Sequence, residues 1–448
     1  MHCLYRMDRE NKMADVLRRA FEKKSTEKTV VGIDLTDEFS QVSYGGLTGE
    51  LETLSLSAEE EKLCIPTLLA KKHGENIWLF GEEAYEAYEA GDAVLIDRLL
   101  ARARAKAPVE VEMLDYDPID LLALFIKKCL SRLSEVTPLE RVISVTVTVD
   151  DPDTSAIEAL DAAVDVLRIK REQVFFLSHA ESAYHYMLHQ DKSLRNGDML
   201  ICDLRPKGLH TMLMAKNIRT YPVVVIAGEK DHPEFLPEDF TDERSDIKKK
   251  EAKDKAFFDI TGNVMGDRNV SVVYLLGEGF GGAWFPETLK NLCRRSRVFM
   301  GNNLYSKGAC YGARERIEET NEEKGFVFLG KNKLKANLGM NIVREGENAY
   351  MALLDAGKNW YDSGKECDLI LENDDPVEIV VTPLNGKNIR NVRIQLSGCP
   401  VRPPRTTRIH LDIRMTSEDM VKVCIADLGF GELYPSSGLV WESEFSIA

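Results

Sequence analysis

The sequence predicts an α/β protein followed by a separate all-β domain, and three observations predict it. At 448 residues the chain exceeds what one hydrophobic core usually fills, about 250 to 300 residues. Up to about residue 325, apolar strands alternate with helices in a strand–hairpin–helix unit that repeats once, which suggests two similar halves. Beyond it, Gly, Pro and turn dipeptides separate short alternating runs, the pattern of an antiparallel sandwich.

Taken in order, Met13, Val16, Leu17, Ala20 and Phe21 fall at helical spacing, so residues 11–24 predict an amphipathic helix. It reads as docked on its own protein, with a partner-binding or membrane-surface helix as the alternative. "VVGIDLTDEFSQVSY" is an apolar strand with a returning hairpin strand, and a polar, helix-rich section containing "FGEEAYEAYEAGDAVLIDRLLARARAKA" follows. Next come the helix "PIDLLALFIKKCLSRLSEV", the strand "RVISVTVTV", a helix begun by Thr154 or its neighbours, the strand "VFFLS" and the helix "AESAYHYMLHQ". "LICDLRPKGLHTMLMA" is a second strand and hairpin, the charge run 241–255 a solvated helix face or mobile loop, and "VSVVYLLGEGF" a later strand. The last third supplies "PVEIVVTPLNGK", "NVRIQLSG", "TRIHLDIRMTS" and "DMVKVCIADLG" as strands of the β domain.

Charge narrows the partners. A net charge of −16 and a pI near 5.2 argue against nucleic acid or an anionic membrane, both of which need a basic footprint. No stretch of about 18 apolar residues occurs. The nine cysteines lack C-x-x-C spacing and read as small buried hydrophobes in a reducing compartment, so the expected location is cytoplasmic.

Several constellations could carry chemistry. Asp34 and Asp203 each end a strand just before a hairpin, where they can hold Mg²⁺ through water or cap a turn. Bare backbone usually approaches a phosphate at such a turn. Here Thr36 follows the first aspartate, and Arg205, Pro206 and Lys207 follow the second. Gly277, Gly279, Gly281 and Gly282 form a flexible turn. Glu181, His185 and His189 are spaced by helical turns and can chelate a metal, although a partly buried helix face is the plainer reading. Asp150, Asp151 and Asp153 at a strand end read as helix caps rather than a metal site. Trp360, Tyr361, Phe430, Tyr434 and Trp441 read as sandwich core and turn.

As an ordered set, these landmarks resemble the DnaK-type chaperones, whose nucleotide domain shares its two-lobed, ribonuclease-H-like fold with actin and sugar kinases. "VVGIDLTDEFSQVSY" looks like the family's first phosphate hairpin, "LICDLRPKGLHTMLMA" sits at its second, and "VYLLGEGFGGAWFPETLKNL" at its adenosine motif. "IQLSGCPVRPPRTTRIHLDIRMTSEDMVKVCIADLGFGELYPSSGLVWESEFSI" resembles the family's peptide-binding β-sandwich, and "FVFLG" stands at its interdomain linker. The N-terminal helix is taken over 1–28, and the resemblance, which covers about residues 29–448, implies a nucleotide-type domain over 29–325 with a shortened subdomain around 227–269, a linker over 326–334, and a lidless sandwich over 335–448.

Residue by residue, the implied catalytic set is incomplete. Asp34 and Asp203 are kept as the metal- and water-positioning aspartates. Thr36, Arg205, Pro206 and Lys207 replace phosphate-binding glycines, and Gly277 and Gly279 keep the adenosine turn. The family's lysine falls near Asp97 or Arg98, and its glutamate falls at His179. The implied cofactor is ATP with Mg²⁺, but the altered hairpins imply a pseudo-ATPase that binds protein or extended peptide through the sandwich. An ATP-driven chaperone or switch and a structural scaffold are the alternatives. Arg205 and Lys207 could also serve a different anion.

Overall fold

The computed structural model describes residues 28–55, 62–237, 247–281, 284–301, 303–318, 325–373, 376–384 and 388–447; the helix expected over 11–24 lies outside them. The protein is mixed α/β and divides into two compact units, Met1–Phe328 and Leu329–Ala448.

In the first unit, β1 (Thr29–Leu35) returns as antiparallel β2 (Phe39–Gly46), which also pairs with β3 (Glu52–Thr53) and β4 (Ile65–Pro66). β5 (Leu69–Lys72), β6 (Trp78–Phe80) and β7 (Ala93–Ile96) form a small sheet, with helix α1 (Gly81–Glu89) between the last two. The section expected to be helix-rich is therefore interrupted. "AVLI" follows a turn at Gly91, whose φ is +76°, and pairs along β5 instead of continuing the helix. Helix α2 (Leu99–Ala105), the hairpin of β8 (Val109–Val111) and β9 (Leu114–Tyr116), and helix α3 (Pro118–Leu133) complete this section. Then β10 (Val142–Val149), helix α4 (Thr154–Leu167) and β11 (Val174–Ser178) add two parallel strands beside β1, so the sheet runs β11-β10-β1-β2-β3.

Helix α5 (His179–Leu188) leads to a second sheet with the same order. β12 (Asp198–Arg205), β13 (Gly208–Asn217) and β14 (Val223–His232) form an antiparallel meander. β15 (Val270–Leu276) and β16 (Arg297–Met300) join β12 in parallel, giving β16-β15-β12-β13-β14. Between β14 and β15, the described residues hold one helix, α6 (Ile247–Met265), which takes up the second half of the charge run at 241–255. β1 and β12 sit at the centre of their sheets and are buried along almost their whole length. That is why they read as unbroken apolar runs ending in an aspartate.

Helix α7 (Pro286–Arg295) precedes β16, and helix α8 (Leu304–Ile317) returns across the first sheet. α8 lies so close to β1 and α5 that a Cβ on Gly32 would strike the Ser306 carbonyl, and one on Gly308 the Ser182 carbonyl. This tight crossing fixes where the start of α8 points.

β17 (Phe326–Phe328) pairs in parallel with β14, and Phe328 is buried against Tyr184 with ring centroids 5.3 Å apart. Within the 326–334 segment, then, the first three residues complete a sheet of the first unit, whereas Asn332 and Leu334 are buried in the second.

The second unit consists of two four-stranded antiparallel sheets. One joins β18 (Ala336–Arg344), β19 (Glu347–Leu354), β21 (Val377–Pro383) and β22 (Arg390–Ile394) in the order β19-β18-β21-β22. The other joins β20 (Gly364–Leu371), β23 (Thr407–Met415), β24 (Met420–Gly429) and β25 (Val440–Ser446) in the order β20-β23-β24-β25. Alternation buries one face of each: Ile379 and Val381 in the first, Ile409, Leu411, Ile413, Val421, Val423 and Ile425 in the second. Trp360 is buried and Trp441 donates to the Ser397 carbonyl at 2.9 Å, while Phe430 stays exposed.

The α8 crossing gives a direct test. Alanine at 308 would raise helix propensity, but its methyl meets backbone rather than a side chain that can turn aside. Gly308→Ala should destabilise the first unit by about 1–3 kcal/mol, the usual cost of overpacking, and lower the Tm by several degrees in thermal unfolding.

Candidate functional site

The turns of the two hairpins, β1–β2 and β12–β13, open on one cavity of about 440 Å³. It collects Asp34, Thr36, Asp203, Arg205, Pro206, Gly277 and Gly279 from the expected set. Lys207, Asp97 and Arg98 do not line it. Lys207 points to solvent and pairs with Glu38 at 3.0 Å, Asp97 pairs with Arg102 at 3.1 Å, and Arg98 takes a left-handed conformation ahead of α2.

A chain of charges lines it, with His179, Asp34 and Asp203 buried, Arg205 half-buried and Asp150 exposed. His179 Nε2 is 2.7 Å from Asp34 Oδ1, and its Nδ1 is 2.8 Å from Asp150 Oδ1. Arg205 donates from Nε to Asp203 Oδ2 at 2.7 Å and from Nη1 to Asp150. Tyr305, at the start of α8, stacks on the His179 ring with centroids 4.0 Å apart and planes 6° from parallel. Each aspartate thus has a cation, and the two cations share Asp150.

The protonation states follow from this packing. Burial disfavours a charged ring at His179, but Asp34 and Asp150 outweigh it and lift the pKa from 6.5 to about 9. Asp150 is desolvated too, yet His179 and Arg205 hold its carboxyl well below the usual carboxylate range. Burial, reinforced by Asp203, pushes the Tyr305 phenol well above its ordinary 10, so the hydroxyl keeps its proton.

The hairpin substitutions have local explanations. Thr36 closes its own turn: its Oγ1 donates to the Phe39 carbonyl at 2.7 Å and accepts from the Phe39 N–H at 3.1 Å. Asp37 accepts from the Ala101 N–H at 3.0 Å and so ties this turn to α2. Arg205 turns inward, and Pro206 offers no N–H. The glycines answer to the protein as well. A Cβ on Gly277 would meet the Leu204 carbonyl, and one on Gly279 the Leu204 side chain.

Other expectations change. Asp153 caps α4 through the Ala156 N–H at 2.9 Å, but Asp150 is a cleft residue, not a cap. Asp150 follows the last residue of β10, as Asp34 and Asp203 lie near the ends of β1 and β12, so the ends of strands from both sheets bring the acids together. His185 pairs with Glu315 at 2.6 Å rather than with Glu181, which is 3.9 Å away, and His189 stacks on Tyr311 at 4.0 Å. Among the described residues, no cluster of His, Cys, Asp or Glu is arranged to hold a metal ion. Cys129, Cys202 and Cys310 are buried as expected, but Cys293 is exposed. No helix among the described residues is long and apolar enough to cross a membrane.

The second unit has a groove of about 770 Å³ where β18 and β21 of one sheet meet β20 and β23 of the other. Met340, Ile342, Leu369, Leu371, Val377 and Val380 line it, and Val343 and Ile370 stand half exposed at its rim. β20 is an edge strand, paired only with β23 among the described residues. None of the aromatics singled out in the sequence lines this groove.

Comparison with known families divides the chain near the same place as its contacts do. The model of a family of unknown function, DUF5716 C-terminal, matches residues 50–331. A domain of unknown function, DUF8552, matches residues 333–447. No curated protein matches the chain.

The charge network sets a pH window. A histidine whose pKa is raised by folding adds stability that is complete below 6.5 and is lost as pH climbs through about 9. A depressed carboxyl such as Asp150 adds stability above its ordinary 3.8 that is lost as pH falls. The network's contribution is therefore largest between about pH 4 and 6.5. Thermal unfolding should show the wild-type Tm falling by several degrees from about pH 6.5 to 9, and this slope should be absent in His179→Gln.

Proposed function

The chain belongs to the DUF5716 C-terminal family, and we propose that it is a chaperone-like binding protein with a DnaK- and actin-like lobe that does not hydrolyse ATP. A β-sandwich follows that lobe and holds an extended protein segment.

One observation carries the non-hydrolysing reading: Asp34, Asp150 and Asp203 are each already paired with His179 or Arg205. Phosphoryl transfer needs carboxylates free to order a metal and its waters, and N–H donors or cations facing the phosphates. Here a metal would have to displace the guanidinium and the imidazole, and breaking a buried ion pair costs about 3–5 kcal/mol. Arg205 already spends its charge on two aspartates, and Lys207 lies outside the cavity. A triphosphate without metal would meet an acidic wall.

The strand order supports the two-lobed reading. Two sheets with one order, each a hairpin-led meander beside two parallel strands, place their first hairpins on a common cleft. In the second unit, an apolar groove beside an edge strand suits an extended segment, which can pair with free backbone and insert alternate side chains.

Thermal unfolding with saturating Mg-ATP or Mg-ADP separates the readings. Occupancy at about 100 times the dissociation constant would add roughly 2.7 kcal/mol; the expected result is no shift. A shift that disappears in Asp34→Ala or Asp203→Ala would turn the assignment to the ATP-driven switch. For the sandwich, a fluorescent peptide library should yield binders to the full chain, and Ile370→Asp should weaken them by roughly tenfold or more. Absence of any binder would favour the scaffold.

A further inference from the structure

We propose that the cleft of the first unit binds a small organic cation, an amine or amidine on an apolar or aromatic body. The proposal goes beyond the reading above and does not rest on peptide binding.

Two buried polar groups point to a ligand. Gln41 is 4% exposed, donates its amide N–H to Cys64 Sγ at 3.2 Å, and has no hydrogen-bond partner for Oε1 among the described residues. Tyr305 is 3% exposed, and its hydroxyl likewise has none. Both residues line the cavity of about 440 Å³. Buried polar atoms are nearly always satisfied, so two of them on one cavity wall mark where ligand atoms belong.

Chemistry selects the class. Gln41 Oε1 accepts hydrogen bonds and therefore calls for an N–H or O–H donor. Asp34, Glu38, Asp150, Asp203 and Glu278 line the cavity against His179 and Arg205, so acids outnumber bases even with the imidazole charged and Lys207 set against Glu38. The surplus favours a cation and opposes an anion. Phe39, Pro206, Pro237 and Leu276 add apolar wall, which suits a compact body rather than a bare ion.

Benzamidine, benzamide and benzoate share one shape and differ in charge, which makes them the probes. They are compared by thermal unfolding and calorimetric titration of the full chain at constant ionic strength, with Mg-ATP as a fourth arm. Benzamidine should raise the Tm saturably and bind roughly tenfold or more tightly than benzamide, while benzoate should do nothing. Gln41→Leu should abolish the benzamidine shift. If that variant does not fold, Glu278→Gln, an exposed substitution, should weaken benzamidine several-fold and leave the unliganded Tm unchanged. No benzamidine shift, an equal shift with benzoate, or a shift retained by every folded variant overturns the proposal. A benzamidine shift alongside a Mg-ATP shift that disappears in Asp34→Ala or Asp203→Ala turns the reading above toward the ATP-driven switch and supports this proposal; a Mg-ATP shift without a benzamidine shift overturns this proposal.

Discussion

Charge placed where water is scarce must be balanced by charge, and the cleft of the first unit is organised around that constraint. Asp34, His179, Asp203 and Arg205 are largely buried, and each would be costly alone. Together with Asp150 they form one neutralising chain. His179 shows how much the arrangement must overcome. It opens α5, where the positive end of the helix disfavours an imidazolium, and it is among the most buried side chains in the site. Two aspartates and the stacked face of Tyr305 make the charged ring the stable form.

The fold supplies these partners from distant places. β1, β10 and β12 each carry an aspartate at or just past their ends, α5 begins with the histidine, β12 closes on the arginine, and the glycine-tight crossing of α8 presents the tyrosine. An ATPase would keep those carboxylates open to metal and water. In this chain the protein's own cations occupy them, which removes the conditions for that chemistry.

Local pattern suffices for the two central strand–hairpin units and for several strands of the sandwich, though not for the β5–β7 sheet or the β8–β9 hairpin. The buried runs ending at Asp34 and Asp203, and the period-two alternation of β21, β23 and β24, are each written within a few residues. The aspartates themselves were found for the same reason. The network was not, because its members are far apart in sequence: His179 lies 145 residues from Asp34, and Arg205 55 from Asp150. Asp150 sits beside a true capping residue, Asp153, and was grouped with it. Gln41 gives no sequence signal at all, since its meaning depends on lining the same cavity as Tyr305. The groove of the second unit is hidden likewise, because only strand order brings β18 and β21 against β20.

The central claim, that His179 is a buried cation bridging two aspartates, is open to direct observation. The ring nitrogens of His179 in ¹⁵N-labelled protein, assigned by their loss in His179→Gln, report their own protonation. At about pH 8, between 6.5 and 9, both nitrogens should carry protons and the imidazolium signals should persist until the pH approaches 9. A neutral ring at that pH, with one nitrogen unprotonated, would contradict the account, because the aspartates would then keep negative charge to offer a metal ion.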